Sequence, residues 1–293
     1  SWWKTAFIRR SCSPKERKAA MKITCLVENT CGREGLGCEH GLSFFVETEG
    51  KKLLFDMGAG PLFHENAEKL GIDLCQADMA FLSHGHVDHG GGLEEFLRVN
   101  SHAPVYVREE AFGGYYSEKD DGFHDIGLKK ELCDHPQIRR VKEAAFEPEA
   151  GFLLFSGVSG TRMFPESNRN LKEKSGEAYL PDRFLHEQNL VVSENGKAVL
   201  FAGCAHSGIL NILDRCTELL GRAPDAVIGG FHLNSPTVGA VSRDYVNSLA
   251  AELLKYGSEF YTCHCTGEQA LRMLKESMDG KIHGIRTGES LNI

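Results

Sequence analysis

Apolar positions come in short clusters, and their spacing alternates between strand-like and helical along the chain. Residues 23–27, 42–47 and 52–55 are apolar stretches of strand length, the last two split by Glu49-Gly50, a hairpin-turn composition. Residues 62–70 place Leu62, Ala67 and Leu70 at helical spacing and stop at Gly71, a natural C-terminal cap. A strand at 79–82 runs straight into Ser83-His84-Gly85-His86-Val87-Asp88-His89-Gly90-Gly91-Gly92; helical spacing resumes at 93–99 and a strand at 105–107. The second half repeats the style, with strands at 153–155, 190–192, 198–202, 226–228 and 259–262 and helices at 208–220, 242–256 and 267–276. Residues 109–149 and 160–188 are polar and weakly periodic, and segments of that length are usually functional lids or disorder. Strand–helix alternation in both halves predicts an α/β fold with mixed sheets covered by helices.

Composition narrows the functional classes. The 293 residues are 41% hydrophobic and 25% charged, as in ordinary globular proteins. A net charge of −8 without a long basic block disfavours nucleic acid as a partner. No stretch approaches the ~20 uninterrupted apolar residues of a membrane helix. The expected partner is a small molecule; a homodimer is left open. Residues 1–20 are basic, lack the apolar centre of a secretory signal and read as a leader or tag-like extension, with Met21 opening a single domain over 21–293. Ten irregularly spaced cysteines without a C-x-x-C pair read mostly as reduced, buried thiols of a cytoplasmic protein.

The segment after the strand at 79–82 carries the chemistry. His84, His86, Asp88 and His89 fall within six residues, and residues two apart in an extended chain face one side, so His84 and His86 can grip one cation. Asp88 and His89, past the turn, can face a second position. Neutral imidazole and carboxylate suit Zn²⁺, with Mn²⁺ or iron as alternatives. Distant residues must close the shell; His206, His232 and His264 each end or follow a predicted strand, where α/β folds assemble their sites.

These residues resemble the metallo-β-lactamase-fold hydrolases, whose H-x-H-x-D-H signature matches His84, His86, Asp88 and His89 and whose strand–turn aspartate matches Asp56 in Leu54-Phe55-Asp56-Met57-Gly58. The segments VENT at 27–30, EHGLSFFVET at 39–48, ENAEKLGID at 65–73, GCAHSGILNIL at 203–213, IGGFHL at 228–233 and CHCTG at 263–267 resemble more narrowly the dihydropterin–ribofuranosylaminobenzene-phosphate-synthase-like branch. The resemblance implies a four-layer αβ/βα sandwich with a dinuclear site at the open edge between its sheets. It implies His84, His86 and His206 on one metal, Asp88, His89 and His264 on the other, and Asp56 orienting a ligand histidine from behind. Many members of the superfamily carry a metal-bridging aspartate where this chain has Cys204, which either coordinates or is a buried spectator beside a weaker second metal.

Cys263 and Cys265 flank His264; in an extended segment both thiols face away from it, so they are expected to be packing residues. His232 and, more weakly, His40 are expected to face substrate, with His232 and Asp88 in catalytic roles. His64, His102, His124, His135 and His283 are expected to face solvent. Phe112, Tyr115, Tyr116 and Phe123 stack on a planar ring or form a satellite core; Arg162, Arg169, Lys172 and Lys174 attract phosphate or merely solvate a loop. The expected function is a metal-dependent hydrolase acting on a small anionic ester, lactone or phosphoester with two divalent cations, zinc being the first choice among the metals named. The alternatives are a pterin-handling synthase and a metal-bearing binding or sensor protein with little turnover.

Overall fold

The computed structural model describes residues 21–235 and 239–293; the leader read at 1–20 lies outside the described residues. Two seven-stranded mixed sheets face one another. In the first, Ser290–Asn292, Lys22–Val27, Ser43–Glu47 and Lys52–Phe55 pair antiparallel, and Met79–Phe81, Val105–Arg108 and Ile138–Val141 continue parallel to Lys52–Phe55. In the second, Ala145–Glu149, Phe152–Ser156, Gln188–Glu194 and Lys197–Phe201 are antiparallel, and Ala226–Gly229, Glu259–Thr262 and Ile282–Gly284 extend it in parallel.

The strands are apolar on both faces because both are covered. Phe44, Phe55 and Phe81 of the first sheet meet Leu190, Phe201 and Ile228 of the second in one core. The outer face of the first sheet packs against Phe63 and Ala67 of helix Leu62–Lys69 and Leu93, Phe96 and Leu97 of helix Leu93–Val99. That of the second packs against helices Ile209–Leu220, Arg243–Leu254 and Glu268–Ser277 through Ile212, Leu213, Val246, Leu249, Leu253 and Leu274. The layers therefore run helix, sheet, sheet, helix: the four-layer sandwich expected from the sequence. Among the described residues no helix is long and apolar enough to cross a membrane.

The two polar segments fold as strands, neither shapeless nor disordered. Tyr115–Lys119 and Gly122–Asp125 form one hairpin, Leu171–Ser175 and Ala178–Pro181 another, and the two pair into a four-stranded sheet. Ile138–Val141 and Ala145–Glu149 from the first segment become edge strands of the two main sheets. Polarity concealed these strands because the small sheet is half-exposed, so it needs few apolar residues. The cysteines also depart from expectation: Cys31 and Cys38 form a disulfide, and Cys75 is exposed.

Phe201 sits fully buried between the sheets, its ring centroid 5.5 Å from that of Phe55 and 6.5 Å from that of Phe44. Replacing Phe201 with alanine is expected to destabilise the fold by about 3–5 kcal/mol. A shift in denaturant midpoint corresponding to less than about 1 kcal/mol would show that the sheets close over the gap.

Candidate metal centre

The centre forms where parallel strands end. Asp56 follows Lys52–Phe55, Ser83 and His84 follow Met79–Phe81, and Cys204 and His206 follow Lys197–Phe201. His232 follows Ala226–Gly229, and His264 follows Glu259–Thr262. To turn inward at once, the chain adopts left-handed backbone at Asp56 (φ 58°), Ala205 (φ 56°), His232 (φ 48°) and His264 (φ 53°), conformations that side-chain-bearing residues rarely hold outside sites that require them. Gly203 makes the approach of the two sheets possible, since a Cβ there would lie 2.2 Å from Ser83 Oγ.

Four histidines are gripped from behind. His89 Nδ1 donates to Asp56 Oδ2 at 2.7 Å, His206 Nδ1 to Asn168 Oδ1 at 3.0 Å, and His264 Nδ1 to Asn29 Oδ1 at 2.8 Å. The Ser83 hydroxyl gives its hydrogen to Asp56 Oδ2 at 2.8 Å and so accepts from His84 Nδ1, also at 2.8 Å. Each Nδ1 therefore carries the ring hydrogen, and each Nε2 presents a lone pair. Those lone pairs converge: His84 Nε2 lies 3.3 Å from His206 Nε2, and His89 Nε2 lies 3.2 Å from His264 Nε2 and 3.1 Å from Cys204 Sγ. Two nitrogens on one tetrahedral zinc, each about 2.0–2.1 Å from it, stand about 3.3 Å apart. The donor set fits cations.

The remaining expected ligands join this arrangement. Asp88 Oδ2 lies 3.3 Å from His264 Nε2 and 3.7 Å from His89 Nε2. Asp88, His89, Cys204 and His264 form one group of donor atoms within 4.8 Å of one another; His84, Cys204 and His206 form a second, and His84, His86 and Asp88 a third. Cys204 thus belongs to both the first and the second of these groups, the position of a bridge. His40 lies on the rim, its Nε2 3.4 Å from Asp88 Oδ2 and its ring tilted against that of His264.

Electrostatics favour the same reading. Burial and the surrounding imidazoles hold His84 and His206 well below the ordinary histidine range, so both are neutral. Burial alone would depress His89 too, but the carboxylates of Asp88 and Asp56 overcome it and lift this group to about 9. Burial, with Cys265 and the carboxylates nearby, pushes the Cys204 thiol well above its usual value. Without a cation the centre therefore carries a proton on His89 and a thiol at Cys204, both of which a cation displaces.

The sequence reading passed over His186. This ring is fully buried, accepts the Gly85 main-chain N–H at 2.9 Å through Nδ1 and donates through Nε2 to Asp182 Oδ2 at 3.1 Å. Asp182 Oδ2 also lies 3.8 Å from the otherwise unpartnered His86 Nε2. An aspartate four residues before a histidine is the available signal, and it lies within the weakly periodic segment 160–188. Glu187 next to it accepts the His206 and Ser207 main-chain N–H groups at 2.6 and 3.0 Å, fixing the turn that carries His206.

The other expectations divide, Cys265 and His64 needing correction. The chain is not extended through His264 but makes a 3₁₀ turn over His264–Thr266, which brings Cys265 to the same side as Cys204 and His232. Cys263 does pack in the core between the sheets. Phe123 stacks on Tyr179 within the small sheet, and Tyr115 packs on His186, so these rings are structural. Arg162 is neutralised by Asp214 and Glu252, and Lys172 by Glu118. His64 is half-buried against Glu95, not solvent-facing.

A cavity of about 230 Å³ opens onto the centre. Its wall includes His40, His86, Asp88, Cys204, His206 and His232, with Ser117, Lys119, Asn170 and Leu171 supplied by the small sheet and its approach. Lys119 is the only lysine or arginine on that wall among the described residues.

The sequence pattern of the metallo-beta-lactamase superfamily matches residues 36–163. The solved structure of Tm1679, described as a metal-dependent hydrolase of the beta-lactamase superfamily, is 30% identical with a TM-score of 0.79, over 93% of this chain and 99% of that one. The 7,8-dihydropterin-6-methyl-4-(beta-D-ribofuranosyl)-aminobenzene-5'-phosphate synthase of Methanocaldococcus jannaschii is 27% identical over 92% of this chain and 95% of that protein. An uncharacterized protein of the same organism is 29% identical over 90% of this chain and 100% of its own length.

Two outcomes follow for cation binding. Asp56→Asn, which keeps the shape but weakens the grip on His89, is expected to lower zinc affinity by about 10–100-fold in a chelator competition; unchanged affinity would remove Asp56 from the centre. Because a cation must displace both the His89 proton and the Cys204 thiol proton, affinity should rise by about a hundredfold per pH unit through the neutral range and by about tenfold per unit above pH 9. A tenfold slope through the neutral range would mean that only one of the two protons is displaced, and a flat profile that neither is.

Proposed function

The chain belongs to the metallo-beta-lactamase superfamily, and from that membership we propose that it is an enzyme, a hydrolase using two divalent cations against a small anionic ester, lactone or phosphoester. Zinc is the first choice of metal, with manganese or iron as alternatives. The observation that carries this reading is the convergence of four buried Nε2 atoms at 3.2–3.3 Å, an arrangement without purpose unless cations lie among them. His84, His86 and His206 would hold one cation, and Asp88, His89 and His264 the other, with Cys204 between. Bound there, the cations supply Lewis acidity and lower the pKa of water toward ~7.

The protein's own groups do the rest. Lys119 of the small sheet, on the cavity wall, would attract the anionic end of the substrate. His232 lies at the cavity wall with neither ring nitrogen hydrogen-bonded, and is placed to give a proton to a leaving group. Ser167 fixes it by donating to its carbonyl. Asp88, whose burial is outweighed by His89 and His264 so that its carboxyl is held well below the usual carboxylate range, stays ionised and orients the attacking water by accepting its hydrogen bond, with His40 3.4 Å away at the rim. The seven free cysteines among the described residues support a cytoplasmic setting.

A second reading rests on the near-full-length similarity to the Methanocaldococcus jannaschii synthase: transfer of a pterin unit onto an aminobenzene ribotide. A dihydropterin diphosphate mixed with the ribotide separates the two, since product formation marks a synthase and release of the alcohol or acid from an ester panel marks a hydrolase.

Replacing His84 and His86 together with alanine is expected to abolish both bound metal and turnover, read by elemental analysis and an ester or phosphoester assay. Full activity in that variant would refute the proposal. Lys119→Ala should raise KM for anionic substrates about tenfold with little change in kcat, as loss of one charge-assisted contact implies.

A further inference from the structure

We propose that Cys204, His232 and Cys265 form a third cation site, soft in character, beside the dinuclear centre and joined to it through Cys204. The two sulfurs and one ring nitrogen of His232 lie within 4.8 Å of one another, and all three side chains are buried. The third site rests on the metal-centre reading only through the shared Cys204; Cys265 and His232 stand in no donor group with Asp88, His89, His264, His84 or His206.

His232 supplies the observation that points to a ligand. Its ring is more than nine-tenths buried, yet neither Nδ1 nor Nε2 has a hydrogen-bond partner. Buried imidazole nitrogens are normally satisfied, and an orphan pair calls for an unseen partner. The backbone is bent for this placement: φ at His232 is 48°, in the left-handed region, and its main-chain N–H donates to Cys265 Sγ at 3.3 Å. Gly230 leaves room for that sulfur, since a Cβ there would sit 2.3 Å from it. Glycine, strained histidine and 3₁₀ turn together aim one imidazole and two sulfurs at a common point.

The chemistry of that set selects its ligand. Two thiols and an imidazole suit Zn²⁺, Cd²⁺ or Cu⁺ and suit Mg²⁺ or Ca²⁺ poorly. All three residues line the 230 Å³ cavity, so a cation enters by the route that substrate uses. On binding it displaces thiol protons to solvent, without any change of oxidation state. A thiophilic ion at this point therefore competes with the dinuclear centre for its bridging donor.

Protein carrying its resident metals, counted by elemental analysis, is titrated with Cd²⁺. One further equivalent should bind above the resident count, with ultraviolet absorption from thiolate-to-cadmium charge transfer. Cys265→Ser and His232→Gln should each lose that equivalent while keeping the resident count and the unfolding midpoint. The variant with His84 and His86 both replaced by alanine should lose the resident ions yet still take cadmium with the same absorption, so failure of the dinuclear centre reads differently from failure of the third site. Cadmium that binds only in one-for-one exchange overturns the proposal. So does a Cys265→Ser variant that still takes the extra equivalent or loses resident metal as well.

Discussion

Four imidazole nitrogens that would repel one another are held together in a buried space, His84 against His206 at 3.3 Å and His89 against His264 at 3.2 Å. The rest of the centre is organised around that unfavourable contact. A histidine turned by half a rotation about its ring bond would hide the lone pair and relieve the crowding. Ser83, Asp56, Asn168 and Asn29 prevent it by occupying each Nδ1 from outside. Asp56 is the anchor, since its carboxylate accepts from the Ser83 N–H at 2.7 Å, the Ser83 hydroxyl and the His89 ring. It fixes two of the four imidazoles, one directly and one through Ser83. The result is a set of oriented donors that give up protons, at His89 and Cys204, but need no rearrangement to receive a cation.

Such a set asks for a stiff frame. Left-handed backbone at Asp56, Ala205, His232 and His264 costs on the order of 1–3 kcal/mol at each position. The aromatic core between the sheets lies directly behind these turns, with Phe55 one residue before Asp56 and Phe201 three before Cys204. Packing of this kind has little freedom to relax, so it holds the strand ends at a fixed separation. Gly229 is part of the same frame: at φ 141° it passes so close to the Ala202 carbonyl that a Cβ would stand 1.7 Å from it.

The main elements were legible because their periodicities were strong. The predicted helix at 93–99 and strand at 259–262 match the structure residue for residue, and the histidine motif announced itself by density alone. What remained hidden had weaker periodicity or depended on local turns. The small sheet has a half-exposed, polar composition, so its strands lack the alternation of a buried face. Cys265 was misplaced because a strand-like alternation was carried across His264, where a positive φ reverses the chain. His186 was missed for the same reason as the sheet: it lies in a segment without pattern, and only folding puts it beside His86. Sequence thus reveals ligands that cluster locally, whereas the residues that orient them arrive from distant loops.

The proposed bridge is a thiol where many members of the superfamily carry a carboxylate, and a thiol asks a different property of its cation. A carboxylate bridge is ionised before any cation arrives and accepts hard and borderline ions alike. Cys204 is a neutral thiol in the cation-free protein, because burial and the carboxylates of Asp88 and Asp56 oppose its ionisation. Only an ion that binds sulfur strongly enough to displace that proton gains a bridge. An ion of low sulfur affinity would meet three imidazoles on one side, two imidazoles and Asp88 on the other, and a protonated thiol between them. On the proposed arrangement zinc or ferrous iron, which bind sulfur, would be favoured over manganese or magnesium.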